Sequence, residues 1–140
     1  MIDLKKLLVC VAVAGVTSHA HSASAEEQAD IKGITWTELE RVPLAGSPKK
    51  EEILGIAVIQ PGVTVELHIH QEYEVGYLLE GEFSLETEGE AVRTFKAGDS
   101  YAILPRKAHA ATSTGKTAVK VLVTYIVETE KPLAEPPRNK

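Results

Sequence analysis

Residues 62–81 read Gly62-Val63-Thr64-Val65-Glu66-Leu67-His68-Ile69-His70-Gln71-Glu72-Tyr73-Glu74-Val75-Gly76-Tyr77-Leu78-Leu79-Glu80-Gly81. Within this stretch the spacing is Gly62, five residues, His68, one residue, His70, three residues, Glu74, six residues, Gly81. Leu67-His68-Ile69-His70 alternates apolar and polar side chains, the period of a strand. Both imidazoles then fall on one face, about 6.6 Å apart along the backbone, where they can converge on one ion. His109 adds a third imidazole further along the chain. Three imidazoles and one carboxylate supply most of the coordination shell of a first-row transition metal.

The histidine count sharpens this reading. The chain has five histidines, and His19 and His21 lie in a segment expected to be removed. Every remaining histidine belongs to the set His68, His70 and His109. A lone histidine is more often an ordinary partly buried residue.

Residues 1–25 read as a secretory signal peptide. Lys5 and Lys6 give a positive start, partly offset by Asp3, and Leu7 to Val16 is apolar but too short to span a bilayer. Ala23-Ser24-Ala25 offers a small-x-small cleavage pattern before Glu26, with Ser18-His19-Ala20 as a weaker alternative. The expected location is periplasmic or secreted, with no membrane association after cleavage. Cys10, the chain's single cysteine, would leave with the leader, so no disulfide is expected. Removing 25 of 140 residues leaves 115, enough for one compact domain. That portion carries 13 basic and 19 acidic side chains, a net charge near −6, which argues against nucleic acid as a partner.

Past the leader, residues 26–52 read as an arm and an edge strand: Glu26 to Lys32 is polar and expected to be mobile, and Ile34 to Thr37 alternates like a strand start. Strand-like segments follow at Ile53–Ile59, Val63–His70, Glu74–Leu79, Phe83–Thr87, Ala91–Phe95, Tyr101–Leu104 and Thr117–Val127, separated by turn pairs such as Pro61-Gly62, Glu80-Gly81 and Gly98-Asp99. No helical period appears, so the expected class is all-β, a sandwich or barrel over residues 53–127. In the last strand Val119, Val121, Val123 and Tyr125 share the expected core face. Glu74, Gly76 and Leu78 share another face, so Gly76 either leaves room for a ligand beside the carboxylate or relieves close strand packing. Residues 128–140, with three prolines among charged residues, are expected to form an extended, poorly ordered tail.

At these residues the chain resembles a small single-domain cupin. Gly62 through Gly81 fits every fixed position of that family's first motif. The second motif fits in part: Gly98 and His109 stand eleven apart and Asp99 follows the glycine. Pro105 comes one place late, Arg106 replaces a loop glycine, and Ser113 stands where asparagine is common. The resemblance implies a double-stranded β-helix, the jelly-roll barrel, with His68, His70, Glu74 and His109 pointing inward as metal ligands. It also implies frequent homodimers with an exchanged N-terminal strand, for which Ile34 to Thr37 is the candidate.

Four protein ligands on a six-coordinate ion leave two positions for water, dioxygen or a chelating substrate. The donor set suits manganese, iron, nickel, zinc or copper. Glu74 could also leave the ion and act as a general base. The resemblance thus implies a dioxygenase-like enzyme, or an isomerase or lyase, acting on a small oxygenated molecule that chelates the metal. The alternatives are a non-catalytic metal or small-ligand binding protein and a purely structural metal. Arg106 either orients an anionic substrate at the mouth or is a solvated loop arginine. Tyr73, Tyr77 and Tyr101 read as packing residues.

Overall fold

The computed structural model describes residues 29–137. The expected leader, residues 1–25, lies outside the described residues. The described chain forms ten strands and no helix: β1 (Ala29–Ile31), β2 (Ile34–Pro43), β3 (Lys50–Ile59), β4 (Thr64–His68), β5 (Glu74–Glu80), β6 (Glu82–Thr87), β7 (Arg93–Lys96), β8 (Ser100–Ile103), β9 (His109–Ser113) and β10 (Val119–Glu128). A six-stranded sheet of order β1-β2-β3-β10-β5-β8 faces a four-stranded sheet of order β4-β9-β6-β7. Every pairing is antiparallel.

Strict alternation builds β10. Val119, Val121, Val123, Tyr125 and Val127 are buried, while the residues between them are half-exposed. The inner residues of β3, β5, β6, β7 and β8 meet them in the space between the sheets: Ile59, Leu78, Phe83, Leu85, Phe95 and Ile103. A smaller cluster of Ile53, Val123, Tyr125 and Val127 is covered by Trp36 and Leu133.

Three expectations change. The end of the expected mobile arm, Ala29–Ile31, is a strand, folded back on β2 through Lys32-Gly33. Both turn residues have positive φ (51° and 84°), as a two-residue hairpin turn needs. Ile34 to Thr37 pairs along β3 of its own chain, so the strand considered for exchange already has a partner. The tail is not loose as far as Pro137. Ile69 N–H donates to Glu135 O (2.9 Å) and Glu135 N–H donates to Ile69 O (3.0 Å), docking the tail beside the first ligand strand. Prolines prevent that segment from forming a longer ladder, but one bridge and the packing of Leu133 hold it.

Candidate metal centre

β4 and β9 are neighbours, and their register places His68 directly opposite His109. Glu74 comes from the other sheet, at the start of β5, opposite Tyr125 of β10 and Ile103 of β8. His70 lies just beyond β4, where Arg106 N–H donates to its carbonyl (2.8 Å). Arg106 has φ 60°, left-handed backbone in which a glycine would be at ease. The residue that replaces the loop glycine thus keeps the glycine's conformation.

The four side chains expected from the sequence come together. One donor atom from each of His68, His70, Glu74 and His109 lies within 4.8 Å of all the others. His68 Nε2 is 3.1 Å from His70 Nε2, Glu74 Oε2 is 2.9 Å from His70 Nε2 and 3.2 Å from His109 Nε2. Two ligands bound at right angles at about 2.1 Å would be about 3 Å apart, so these spacings suit neighbouring positions on one ion.

The outer nitrogens explain why the inner ones converge. His68 Nδ1 is 2.7 Å from Glu66 O, His70 Nδ1 is 2.7 Å from Leu133 O, and His109 Nδ1 is 2.9 Å from Lys107 O. A carbonyl only accepts, so each Nδ1 carries a proton, and each ring in its neutral form turns its Nε2 lone pair inward. Lone pairs 3.1 Å apart on His68 and His70 repel unless a proton or a cation lies between them. The donor set therefore fits a divalent transition metal, with His68, His70, Glu74 and His109 as its ligands.

Charge and burial agree with this reading. Burial lowers the His68 imidazolium to about pKa 4, reinforced by the charges of His109 and His70. Burial pushes the Glu74 carboxyl up, but hydrogen bonds from His109 and His70 outweigh it and hold the group well below the usual carboxylate range. Burial lowers His109, yet its bond to Glu74 wins and raises it. In the metal-free protein the Glu74 carboxylate favours the protonated form of His109.

Tyr101, read from sequence as a packing residue, belongs to the site. Its hydroxyl donates to Glu74 Oε1 (2.7 Å), leaving Oε2 for the imidazoles. Burial and the adjacent Glu74 charge push this phenol well above its ordinary pKa, so it stays a donor. Gly76 makes the approach possible: a Cβ there would lie 2.4 Å from the Tyr101 ring. The space beside the carboxylate is thus filled by an aromatic ring. The cross-strand pairing of Gly76 with Tyr101 was the available signal, but it depends on a register the sequence does not display. The Leu133 carbonyl, being backbone, leaves no signature at all.

All four donors line a cavity of about 320 Å³. Its walls are apolar, including Ile34, Val65, Phe83, Leu85 and Val121, and the phenols of Tyr101 and Tyr125 stand near the donors. Arg106 does not reach it. The guanidinium donates to Gln71 Oε1 (2.9 Å) and lines a separate outer groove with Leu67, Ile69 and Pro137.

The chain belongs to the cupin family: the Cupin domain family matches residues 55–125. Solved structures agree in fold. KdgF from Halomonas sp. is 19% identical with TM-score 0.57, over 81% of this chain and 87% of that one. An RmlC-like cupin from Shewanella frigidimarina is 22% identical with TM-score 0.60, over 78% and 89%. An oxalate decarboxylase variant of B. subtilis is 17% identical with TM-score 0.63, over 79% of this chain but 30% of that longer one. At these identities the likeness is one of fold. None of the curated proteins compared with this chain matches it.

Proposed function

We propose that this chain is an exported, mononuclear metal enzyme of dioxygenase-like type, acting on a small oxygenated molecule that chelates the ion. The observation that carries this reading is the convergence of three imidazole Nε2 atoms and Glu74 Oε2 on the wall of an apolar cavity. When bound, a divalent manganese, iron, nickel, zinc or copper ion supplies Lewis acidity to substrate oxygens and, if redox-active, chemistry with dioxygen. The chain's own groups do the positioning. The three carbonyl bonds fix the rings, Tyr101 holds one Glu74 oxygen, and apolar side chains line the space around the donors. Glu74 is the candidate general base, a role that requires its Oε2 to leave the donor cluster.

The same fold appears in oxalate decarboxylases and in lyases, so fold alone assigns no reaction. The test is oxygen uptake by metal-loaded protein with a panel of chelating oxygenated substrates. Uptake that depends on both metal and Glu74 supports the reading; binding without turnover across the panel contradicts it. The second reading, a non-catalytic periplasmic metal or small-ligand binding protein, is favoured by one observation: beyond the donors, the cavity has few polar groups besides its two phenols. Export rests on the leader pattern of residues 1–25.

A homodimer is part of the proposal, supported by the outer face of the six-stranded sheet. Ile56, Leu122 and Tyr77 are aligned across β3, β10 and β5, with Leu54, Thr124, Val75 and Ala102 in the adjacent row. Antiparallel strands with one solvated face ordinarily alternate apolar and polar residues. Here both faces are apolar, and Val75 and Tyr77 are 50% and 48% exposed. A second copy presenting the same surface would cover it isologously.

A further inference from the structure

We infer that the cavity takes a monoanionic oxygen chelator with a compact apolar body, and discriminates against dicarboxylates and polyhydroxylated acids. This inference rests on the metal site proposed above and specifies what binds there. Charge comes first. A divalent ion with three neutral imidazoles and the Glu74 carboxylate leaves one net positive charge. A monoanionic chelate neutralises it, whereas a dianion leaves a negative charge among apolar walls.

Among the described residues no lysine or arginine lines the cavity. Arg106, three residues before the third imidazole, is tied to Gln71 in the outer groove. Burying an unpaired charge, or hydroxyls without partners, is costly. The phenols cluster with the donors: Tyr101 is bonded to Glu74, and the Tyr125 ring lies 4.7 Å from that of His70. Beyond them Ile34, Val65, Phe83, Leu85 and Val121 suit a ring or branched aliphatic body. At about 30 Å³ per water-sized group, 320 Å³ holds a ligand of about ten heavy atoms.

Trp36, the chain's single tryptophan, lines the cavity and reports binding by its fluorescence. The metal-loaded full chain is titrated with tropolone, a monoanionic aromatic chelator, and with oxalate, a dianion. Each affinity is divided by the probe's affinity for the same ion in water, and metal is assayed after gel filtration. Tropolone is expected to be favoured by about tenfold or more, the equivalent of about 1.4 kcal/mol. In Val65→Lys, which adds a cation to a half-buried wall position, that preference should shrink, while Val65→Met keeps it. Equal corrected affinities, or a preference for oxalate, overturn the inference while bound metal leaves the site intact. Protein that retains no metal overturns the metal site, and the inference with it.

Discussion

Tyr101 and Gly76 face each other across β5 and β8, and the pair decides how Glu74 meets the imidazoles. The phenol occupies Oε1, so a single oxygen is turned toward His70 and His109. Tyr101→Phe keeps the ring over Gly76 and removes only the hydrogen bond. Metal affinity should fall about 10- to 100-fold with little change in folding, as for other outer partners of ligands; equilibrium dialysis measures it, and unchanged affinity would assign Tyr101 to packing alone. His68 carries a pH signature. Its folded pKa of about 4 lies below the ordinary 6.5, so the unfolded chain binds the extra proton between those values. That contribution to stability is complete above pH 6.5 and is lost as pH falls toward 4. The opposite shift of His109 acts above 6.5, and that of Glu74 below the usual carboxylate pKa, leaving this window to His68. Melting temperatures of metal-free protein should therefore drop across the window in the wild type and less steeply in His68→Ala; parallel curves would contradict the assignment.

Among the elements, the docked tail is the one that composition concealed. Its prolines and charges resemble those of a disordered segment, yet Leu133 packs on the core and its carbonyl fixes the His70 ring. Deleting residues 131–140 should weaken metal binding about tenfold or more, because His70 loses the acceptor that sets its tautomer. Leu133→Ala retains that carbonyl, so it should lower the melting temperature while largely preserving affinity. Equal losses of affinity in both variants would mean that side-chain packing, and not the carbonyl, positions His70. The strands were more legible. β3, β5, β6 and β10 announce themselves by apolar or alternating runs bounded by turn residues. β9 did not, since Ala110 and Ala111 carry little β signal and the strand is imposed by its neighbours β4 and β6. The four converging side chains were readable because motif spacing survives without knowledge of register. Tyr101 and the Leu133 carbonyl depend on contacts between elements distant in sequence.

For the whole molecule, the apolar outer face makes association the expected state. Tyr77→Glu places a carboxylate in the middle of that face and should convert a dimer to monomer in light scattering without disturbing metal content. A wild-type protein that is monomeric at micromolar concentration would show that the face is covered by something else or left bare. The metal itself should stabilise the whole fold, since binding to the native state alone adds stability by mass action. Metal content tests the central claim most directly: elemental analysis of the wild-type protein and of His68→Ala/His70→Ala, each purified without added metal and again after reconstitution. About one transition metal ion per wild-type chain, and essentially none in the double variant, is the predicted result. Equal metal in both proteins, or none in the wild type even after reconstitution, would contradict it.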